Sequence, residues 1–211
     1  MRDRNAPLSL DAVASLDWAK MGGLVPAVVQ DAATMQLLML GYMNEAALRR
    51  SLESGLVTFY SRSKERLWTK GETSGNHLKL RAVFADCDND ALLIRAEPQG
   101  PTCHLGTESC FTEEGPDGVG WLARLAQIVH ARAGADPEGS YTARLMARGP
   151  SRIAQKIGEE GVEVALAGAA GDREACISET ADLLYHLTVL MEARGFGWND
   201  VVAVLKDRHK G

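Results

Sequence analysis

Short apolar runs, separated by glycine and polar residues, predict a mostly β structure between about residues 23 and 98. These runs read LVPAVVQD, LLMLGYM, GLVTFYS and ALLIRAE. A further segment, HLKLRAVFA, alternates apolar and polar side chains, as a strand with one buried face does. One helix is predicted in NEAALRRSLESG, where Asn44 is the expected N-cap and Gly55 the expected stop. Upstream, residues 9–20 are expected to form a short amphipathic helix.

The pattern changes after residues 112–120, whose sequence TEEGPDGVG is typical of a linker. Beyond it the apolar residues recur with a helical period, and two long helical segments end at Gly171 and Gly195. A last short helix is predicted in WNDVVAVLKDRH, which gives four or five helices in all. The predicted class is therefore α+β, with a mostly β domain with a few helices over residues 1–114 and an all-α helical bundle over residues 115–211.

Composition narrows the range of partners. The net charge of −5 argues against a general affinity for nucleic acid or for anionic membranes. No apolar run approaches the roughly 18 residues that a membrane span needs, and the N-terminus lacks the apolar core of a signal peptide. We therefore expect a cytoplasmic protein that binds neither membranes nor nucleic acid. Thiols stay reduced in that compartment, so the four cysteines indicate metal binding or catalysis rather than disulfides.

The segment DCDND places Asp86, Asp88 and Asp90 around Cys87. If the preceding strand continues, the three acids share one face and the thiol points to the other. If the chain turns, the carboxylates converge on one hard cation, Mg²⁺ or Ca²⁺. A helix–loop–helix calcium site is disfavoured, because Ala91 stands where that loop requires glycine and because a strand, not a helix, precedes it. A solvated acidic turn is the alternative without a metal.

The segment GPTCHLGTESCF supplies Cys103, His104 and Cys110, and Cys87 would be a third sulfur. Zinc binds thiolate and imidazole, and three protein ligands leave a fourth position for water. Bound zinc lowers the pKa of that water from about 15.7 towards about 7, which makes hydroxide available at neutral pH. Buried free thiols and a structural histidine are the alternative interpretation.

Residues 61–80 form a basic, polar segment in which four cations fall within nine positions. The sequence GETSGN adds hydroxyls, backbone donors and two glycines, so we expect a loop that is suited to hold a phosphate and a ribose. An ordinary polar hairpin loop is the alternative, and Trp68 fits either base stacking or the core. The candidate substrate-binding residues are Arg62, Arg66, Lys70, Glu72, Ser74 and Asn76.

Carboxylates stand at apolar positions of both long helical segments. Glu160 and Glu163 are three residues apart, as are Glu179 and Asp182, so each pair occupies one helix face. Glu160 lies on the stripe that should be buried, where an unpaired carboxylate is costly. If the two helices are antiparallel neighbours, the four acids converge, and Mg²⁺ resolves that cost.

An exposed acidic ridge that pairs with Arg152 and Lys156 is the alternative for these acids. Cys176 and His186 are interpreted as structural residues of a helix.

Taken together, the zinc ligands, the neighbouring hard-cation site and the basic segment predict hydrolysis at an electrophilic carbon of a phosphorylated, base-like substrate.

These motifs resemble two known families. GLVTFYSRSKERLWTKGETSGNHLKL, DCDND and GPTCHLGTESCF resemble phosphoribosyl-AMP cyclohydrolase. PSRIAQKIGEEGVEVALA and ETADLLYHL resemble phosphoribosyl-ATP pyrophosphohydrolase. The two occur in this order in the bifunctional histidine-biosynthesis enzyme of many bacteria, and the resemblance covers about residues 16–209. It implies that the second domain cleaves phosphoribosyl-ATP to phosphoribosyl-AMP and pyrophosphate. The first domain would then add water at C6 of the adenine ring and break the N1–C6 bond.

The resemblance also implies the ligand sets. Zn²⁺ would be bound by Cys87, Cys103 and Cys110, with Cys87 contributed across the interface of a homodimer. Mg²⁺ would be bound by Asp86, Asp88 and Asp90 in the first domain, and by Glu160, Glu163, Glu179 and Asp182 in the second. His104 is the candidate proton shuttle of ring opening. Glu159 is the candidate base of pyrophosphate release, or a group that supports the metal ligands.

Overall fold

Two units make up the chain in the computed structural model, which describes residues 3–210. The first ends at Trp121 and the second begins at Leu122. Strands lie in the first unit and helices dominate the second, so the predicted α+β class is confirmed. In the described part of the chain, no helix is long and apolar enough to cross a bilayer.

From residue 3 onwards, where the structure describes it, the first unit is built from short strands, one α-helix and one 3₁₀ helix. Its elements are a 3₁₀ helix Leu10–Ser15, β1 Val25–Asp31, β2 Leu37–Met43, α1 Glu45–Ser54, β3 Thr58–Ser61, β4 Arg66–Thr69, β5 Leu78–Ala85 and β6 Leu92–Pro98. The amphipathic helix expected over residues 9–20 is thus only a 3₁₀ turn. Its continuation is blocked because Trp18 Nε1 donates to the Val13 carbonyl at 3.1 Å, and Asp17 N–H donates to the Asn89 carbonyl instead.

Four strands form a mixed sheet in the order β2-β1-β6-β5. β1 pairs antiparallel with β2 and parallel with β6, and β6 pairs antiparallel with β5. β3 and β4 form a separate two-stranded hairpin. Alternate residues of β1, among them Val25, Ala27 and Val29, are fully buried, and burial of such a valine stabilises the fold by about 1.5–3 kcal/mol. The turn between β5 and β6 carries the DCDND segment.

Helix α1 has the ends that the sequence predicts. The Asn44 side chain accepts a hydrogen bond from Ala47 N–H at 2.8 Å, and Gly55 ends the helix with φ 72°. Ser51 joins the helix to β3, since its buried hydroxyl donates to the Ala47 carbonyl and accepts from Thr58 N–H, both at 2.8 Å. This contact fixes α1 against the hairpin that leads into the basic segment.

In the described part of the chain, five helices follow residue 119, within the predicted four or five. They are α2 Gly120–Ala133, α3 Tyr141–Ala147, α4 Pro150–Ala170, α5 Arg173–Arg194 and α6 Trp198–Arg208. Both long helices end at the predicted glycines, Gly171 and Gly195. The Asp172 side chain caps α5 by accepting from Ala175 N–H at 3.0 Å. Helices α4 and α5 pack against each other, which brings their acid-bearing faces together.

Candidate active sites

The DCDND segment turns rather than continuing β5. Asp86 Oδ1 accepts from the backbone N–H groups of Asp90 at 3.0 Å and Ala91 at 3.2 Å. Asn89 adopts the left-handed conformation with φ 62°, which asparagine tolerates better than most residues. Of the two alternatives that the sequence left open, the turn is therefore the one found, and the acids do not share a strand face opposite the thiol.

The turn gathers acids and a thiol. Ligand atoms of Asp86, Cys87 and Asp88 lie within 4.8 Å of one another, and the Cys87 Sγ atom is 3.8 Å from Asp88 Oδ1. The Lys20 ammonium lies 2.5 Å from carboxylate oxygens of both Asp88 and Asp90. Its hydrogen bond holds the pKa of Asp88 below the usual value, and the two acids raise the pKa of Lys20.

A cavity of about 510 Å³ lies in the first unit. One side is formed by the loop that carries Cys103, His104 and Cys110, and Cys87 does not line the cavity. The other side includes Lys70, Glu72, Ser74 and Asn76. The cavity thus brings together two sets of residues that the sequence predicted separately.

Two predicted substrate-binding residues lie elsewhere. The Arg62 guanidinium stacks over the Tyr42 ring at 4.0 Å, and Arg66 donates to the Glu72 carboxylate at 2.8 Å. Neither arginine lines the cavity. Part of the segment expected to be a loop is strand β4, because its residues pair with β3, Phe59 opposite Trp68. Trp68 packs on the core and also lines the cavity.

The environment of the two loop thiols fits a metal that binds thiolate. Hydrogen bonds from the Leu105 backbone N–H and from Thr107 lower the pKa of Cys103. Partial burial and the neighbouring Cys103 raise the pKa of Cys110. The His104 Nδ1 atom lies 3.9 Å from the Cys103 Sγ atom. Two adjacent thiolates repel each other, and a shared zinc ion would remove that repulsion.

Strand β2 positions the cysteine loop. Cys110 N–H donates to the Leu38 carbonyl at 2.8 Å, and the Ser109 hydroxyl donates to the Leu37 carbonyl at 2.7 Å. Leu38 is in the core and 1% exposed, so these bonds fasten the loop to a rigid element. The thiol positions therefore depend on the sheet rather than on the loop alone.

The opposite wall of the cavity is a loop that closes on itself. Gly75 N–H donates to the Gly71 carbonyl at 2.9 Å, and His77 Nδ1 donates to the Lys70 carbonyl at 2.9 Å. Gly71 has φ 85°, and a Cβ there would meet the Asn76 carbonyl group and His77 N at 2.5 Å. Only glycine allows this approach, so residue 71 can lie directly against the backbone of Asn76 and His77.

In the second unit, three carboxylates on α4 and α5 converge. Ligand oxygens of Glu160, Glu179 and Asp182 lie within 4.8 Å of one another, and Glu160 is only 5% exposed. Glu163, which is exposed, is not in this group, but desolvation and the charges of Glu160 and Glu179 raise its pKa. Clustered oxygens with a buried member are the donor set that fits Mg²⁺.

Lysine and arginine partners distinguish the two adjacent glutamates. Lys156 Nζ lies 2.7 Å from both Glu159 and Glu160, and its hydrogen bond holds the pKa of Glu160 below the usual value. Glu159 also pairs with Arg152 at 3.5 Å and is not in the three-acid group. The exposed-ridge interpretation therefore describes Glu159, whereas Glu160 is buried in the cluster.

His186 contacts this cluster, which its interpretation as a purely structural residue did not anticipate. It is 4% exposed, and its Nδ1 atom lies 3.7 Å from Glu160 Oε1. A carbonyl oxygen can only accept, so Nδ1 donates to the Asp182 carbonyl at 2.9 Å, and in the neutral ring Nε2 accepts from the Tyr141 hydroxyl at 3.2 Å. The signal was present in the sequence, because a residue four positions after Asp182 shares its helix face.

Two further polar residues of the first unit, Lys20 and Thr102, contact the candidate sites but were not predicted from the sequence. Lys20 is 68 positions from Asp88, and no sequence pattern connects them. Thr102 lines the cavity, is 2% exposed, and its hydroxyl oxygen has no hydrogen-bond partner among the described residues. Its position next to Cys103 was the available signal.

A sheet unit with a thiol-lined cavity and a helical unit with clustered carboxylates define the class as a two-domain hydrolase. Residues 39–112 match the phosphoribosyl-AMP cyclohydrolase family, and residues 122–209 match the phosphoribosyl-ATP pyrophosphohydrolase family. The chain belongs to the HisIE family of bifunctional histidine-biosynthesis proteins, as the following relatives show, and the resemblance seen in the sequence is thereby confirmed.

Relatives named "Histidine biosynthesis bifunctional protein HisIE" align with nearly the whole chain. The protein of Vibrio parahaemolyticus is 56% identical over 197 residues, which is 92% of this chain and 93% of that one. The Vibrio cholerae protein is 55% identical, over 92% of this chain and 94% of its own. The Photobacterium profundum protein is 54% identical, over 95% and 99%.

Proposed function

We propose that the two units catalyse consecutive hydrolyses. The helical unit cleaves phosphoribosyl-ATP to phosphoribosyl-AMP and pyrophosphate, and the sheet unit opens the adenine ring of the product at the N1–C6 bond. The observation that carries this proposal is a single cavity that is lined both by Cys103, His104 and Cys110 and by residues of the closed loop 70–76. It combines a metal-binding wall with a phosphate- and ribose-binding wall, as hydrolysis of a phosphorylated, base-like substrate requires.

In ring opening, the cavity walls have separate tasks. Lys70 supplies positive charge for the phosphate, while Glu72, Ser74 and Asn76 hydrogen-bond the ribose. His104 moves the proton: it takes one from the attacking water and returns it to N1 as the C–N bond breaks. When bound by the thiols, zinc would make hydroxide available at neutral pH.

The third zinc ligand comes from a second copy of the chain in this proposal. Cys87 is exposed and does not line the cavity that contains Cys103 and Cys110. A homodimer in which Cys87 of the partner subunit reaches those two thiols completes a three-thiolate set. Asp86, Asp88 and Asp90 would hold Mg²⁺, since their oxygens suit a hard cation.

In pyrophosphate release, the carboxylates of α4 and α5 hold the metal. Glu160, Glu179 and Asp182 would hold the metal, and Glu163 would join them by rotation of its exposed side chain. Bound there, Mg²⁺ would supply positive charge to the triphosphate. Glu159 serves as the base for the attacking water, and its ion pairs with Lys156 and Arg152 open when substrate binds.

We also propose the organisation of the chain and its compartment. The cyclohydrolase domain covers residues 1–114 and the pyrophosphohydrolase domain covers residues 115–211, with the border inside the linker. Three acids and three glycines in residues 112–120 support that position. The protein works in the cytoplasm, where its four cysteines, all free, stay reduced.

An assay of both steps on the full chain tests the proposal. Phosphoribosyl-ATP is supplied with Zn²⁺ and Mg²⁺; pyrophosphate is quantified, and ring opening is followed by ultraviolet absorbance. Cys103→Ser is expected to abolish ring opening and to spare pyrophosphate release, because only the thiol wall changes. With phosphoribosyl-AMP supplied directly, Glu160→Gln should leave ring opening intact, while its pyrophosphate release from phosphoribosyl-ATP is lost.

Matched controls make the assay specific. Cys176→Ser removes a thiol on α5 outside the cavity, and Glu174→Gln removes a carboxylate in the first turn of the same helix. Both controls are expected to retain both activities. Zinc content, measured on the same samples, should fall in Cys103→Ser and stay unchanged in Glu160→Gln. Loss of both activities in either site variant would contradict two independent sites.

A further inference from the structure

One lysine from the N-terminal segment meets two carboxylates of the acid turn. Lys20 Nζ lies 2.5 Å from Asp88 Oδ2 and 2.5 Å from Asp90 Oδ2. The Lys20 side chain is 45% exposed and that of Asp90 is 19% exposed, so the contact is at the edge of the unit. A single exposed ion pair contributes little to stability, but one ammonium between two carboxylates makes two charge-assisted hydrogen bonds.

The backbone places this lysine independently of its side chain. Asp17 N–H donates to the Asn89 carbonyl, inside the acid turn, at 2.9 Å. Lys20 N–H donates to Asp17 Oδ1 at 3.1 Å, and Gly23 N–H donates to the Trp18 carbonyl at 2.7 Å, which closes the segment. Residues 17–23 are therefore docked on the acid turn, so the backbone that carries Lys20 is already ordered and only its side-chain torsions are fixed when the ammonium meets the carboxylates.

We propose that Lys20 is a built-in counter-ion that competes with the divalent cation for the oxygens of Asp88 and Asp90. This inference rests on the proposed assignment of Mg²⁺ to that turn. A cation that binds these oxygens must break the two contacts of Nζ and move the ammonium aside, because +1 and +2 charges a few ångströms apart repel strongly. Metal binding at the turn is thus an exchange of one cation for another, and Lys20 lowers the affinity for Mg²⁺.

The competition has a second consequence for the metal-free chain. Three carboxylates within five positions repel one another, and the ammonium offsets part of that repulsion. Lys20 therefore keeps the turn in its ligand-ready shape before metal arrives, at the expense of affinity. Residues 17–23 precede the part of the chain that matches the cyclohydrolase family, which begins at residue 39.

A titration of the full chain with Mn²⁺ tests this inference at the turn itself. Mn²⁺ broadens nearby amide signals in NMR spectra, so the midpoint for the Asp88 and Asn89 amides reports affinity at this turn and not at the helical site. Lys20→Met keeps the apolar stem and removes the charge. We expect the Mn²⁺ concentration at its midpoint to be lower than that of the unchanged chain by a factor of about three or more.

Two variants control for charge and for packing. Lys79→Met removes one positive charge from an exposed position on β5 of the same unit, and its midpoint is expected to stay where it was. Lys20→Arg keeps the charge, so its midpoint should remain near that of the unchanged chain. In addition, diamagnetic Mg²⁺ should shift the side-chain CH₂ signals of Lys20 and leave those of Lys79 unmoved. This readout needs no variant that must fold.

The outcomes distinguish the assignment of a metal to the turn from the competition by Lys20. Unchanged or weaker Mn²⁺ binding by Lys20→Met, or tighter binding by Lys20→Arg, overturns the competition. If Asp88→Asn weakens binding while Lys20→Met leaves it unchanged, the metal assignment survives and the role of Lys20 is wrong. If Asp88→Asn has no effect on the turn's midpoint, both the metal assignment and the competition fail.

Discussion

Each acid-rich site contains one lysine whose ammonium lies between two carboxylates. Lys20 bridges Asp88 and Asp90, and Lys156 bridges Glu159 and Glu160. An ammonium is a compact point charge on a flexible stem, so it can occupy the space between two carboxylates and withdraw without moving the backbone.

At the scale of single residues, Gly71 allows a sharp prediction. Gly71→Ala places a Cβ 2.5 Å from the backbone of Asn76 and His77, and also forces a positive φ on a residue with a side chain. Because both penalties act on the wall of the cavity, we expect a loss of more than about 2 kcal/mol of stability and a large fall in ring opening. Thermal unfolding and the ring-opening assay measure the two effects.

Gly75→Ala is the matched control for this variant. Gly75 has φ 79° but nothing lies within 4 Å of an added Cβ, so only the backbone strain, about 1–2 kcal/mol, is expected. Pyrophosphate release should be unaffected in both variants. Equal losses in the two variants would show that the close approach at Gly71 does not matter.

At the scale of elements, the Ser51 side chain on α1 connects this helix to β3 by a hydrogen bond. Ser51→Ala leaves the buried Thr58 N–H without the partner that it has at 2.8 Å, and that costs about 1–3 kcal/mol. Ser54→Ala, on the same helix, removes an exposed hydroxyl that donates to the Arg50 carbonyl, and should cost under about 0.5 kcal/mol. Urea titration, followed through the amide signals of β3, distinguishes the two. Equal stability of both variants would exclude a role for this bond.

Helix ends were predictable from sequence because the signals are local. Asn44, Gly55, Gly171 and Gly195 mark their helices where the structure has them. Strand β4 was predicted as part of a polar loop, because apolar and polar side chains alternate only weakly over Arg66–Thr69. Its strand conformation depends on pairing with β3. Pairing is a tertiary effect, and a single segment does not reveal it.

The candidate sites, too, were predictable from sequence only where the signal is local. The cysteine loop and residues 70–76 were identified separately, and the structure unites them at one cavity. Local sequence left the strand and turn alternatives for DCDND open, since the outcome depends on hydrogen bonds from Asp90 and Ala91 to Asp86. Lys20 gave no signal at all, because its acidic partners are distant in sequence. Contacts of this kind arise only from the fold.

At the scale of the whole molecule, the proposal that two copies of the chain share a zinc site predicts complementation between inactive chains. Cys87→Ser and Cys103→Ser should each lack ring opening. After mixing, unfolding and refolding, half of the dimers are mixed and each has one complete thiol set, so about a quarter of full activity is expected. The ring-opening assay on the refolded mixture is the measurement.

A second mixture serves as the control. Cys103→Ser and Cys110→Ser both alter the same wall of the cavity, so no mixed dimer has a complete set and no activity should return. If Cys87 instead acts within its own chain, the first mixture stays as inactive as the second. Size-exclusion chromatography of each mixture establishes that chains have associated.

The presence of two compact units on one chain has a consequence for the cell. Every translated copy supplies one domain of each kind, so the ratio of the two catalysts is fixed at synthesis and does not fluctuate with expression. The units also share their fate after synthesis. A substitution that unfolds either unit exposes the whole chain to proteases, and both steps decline together even when the other unit is intact.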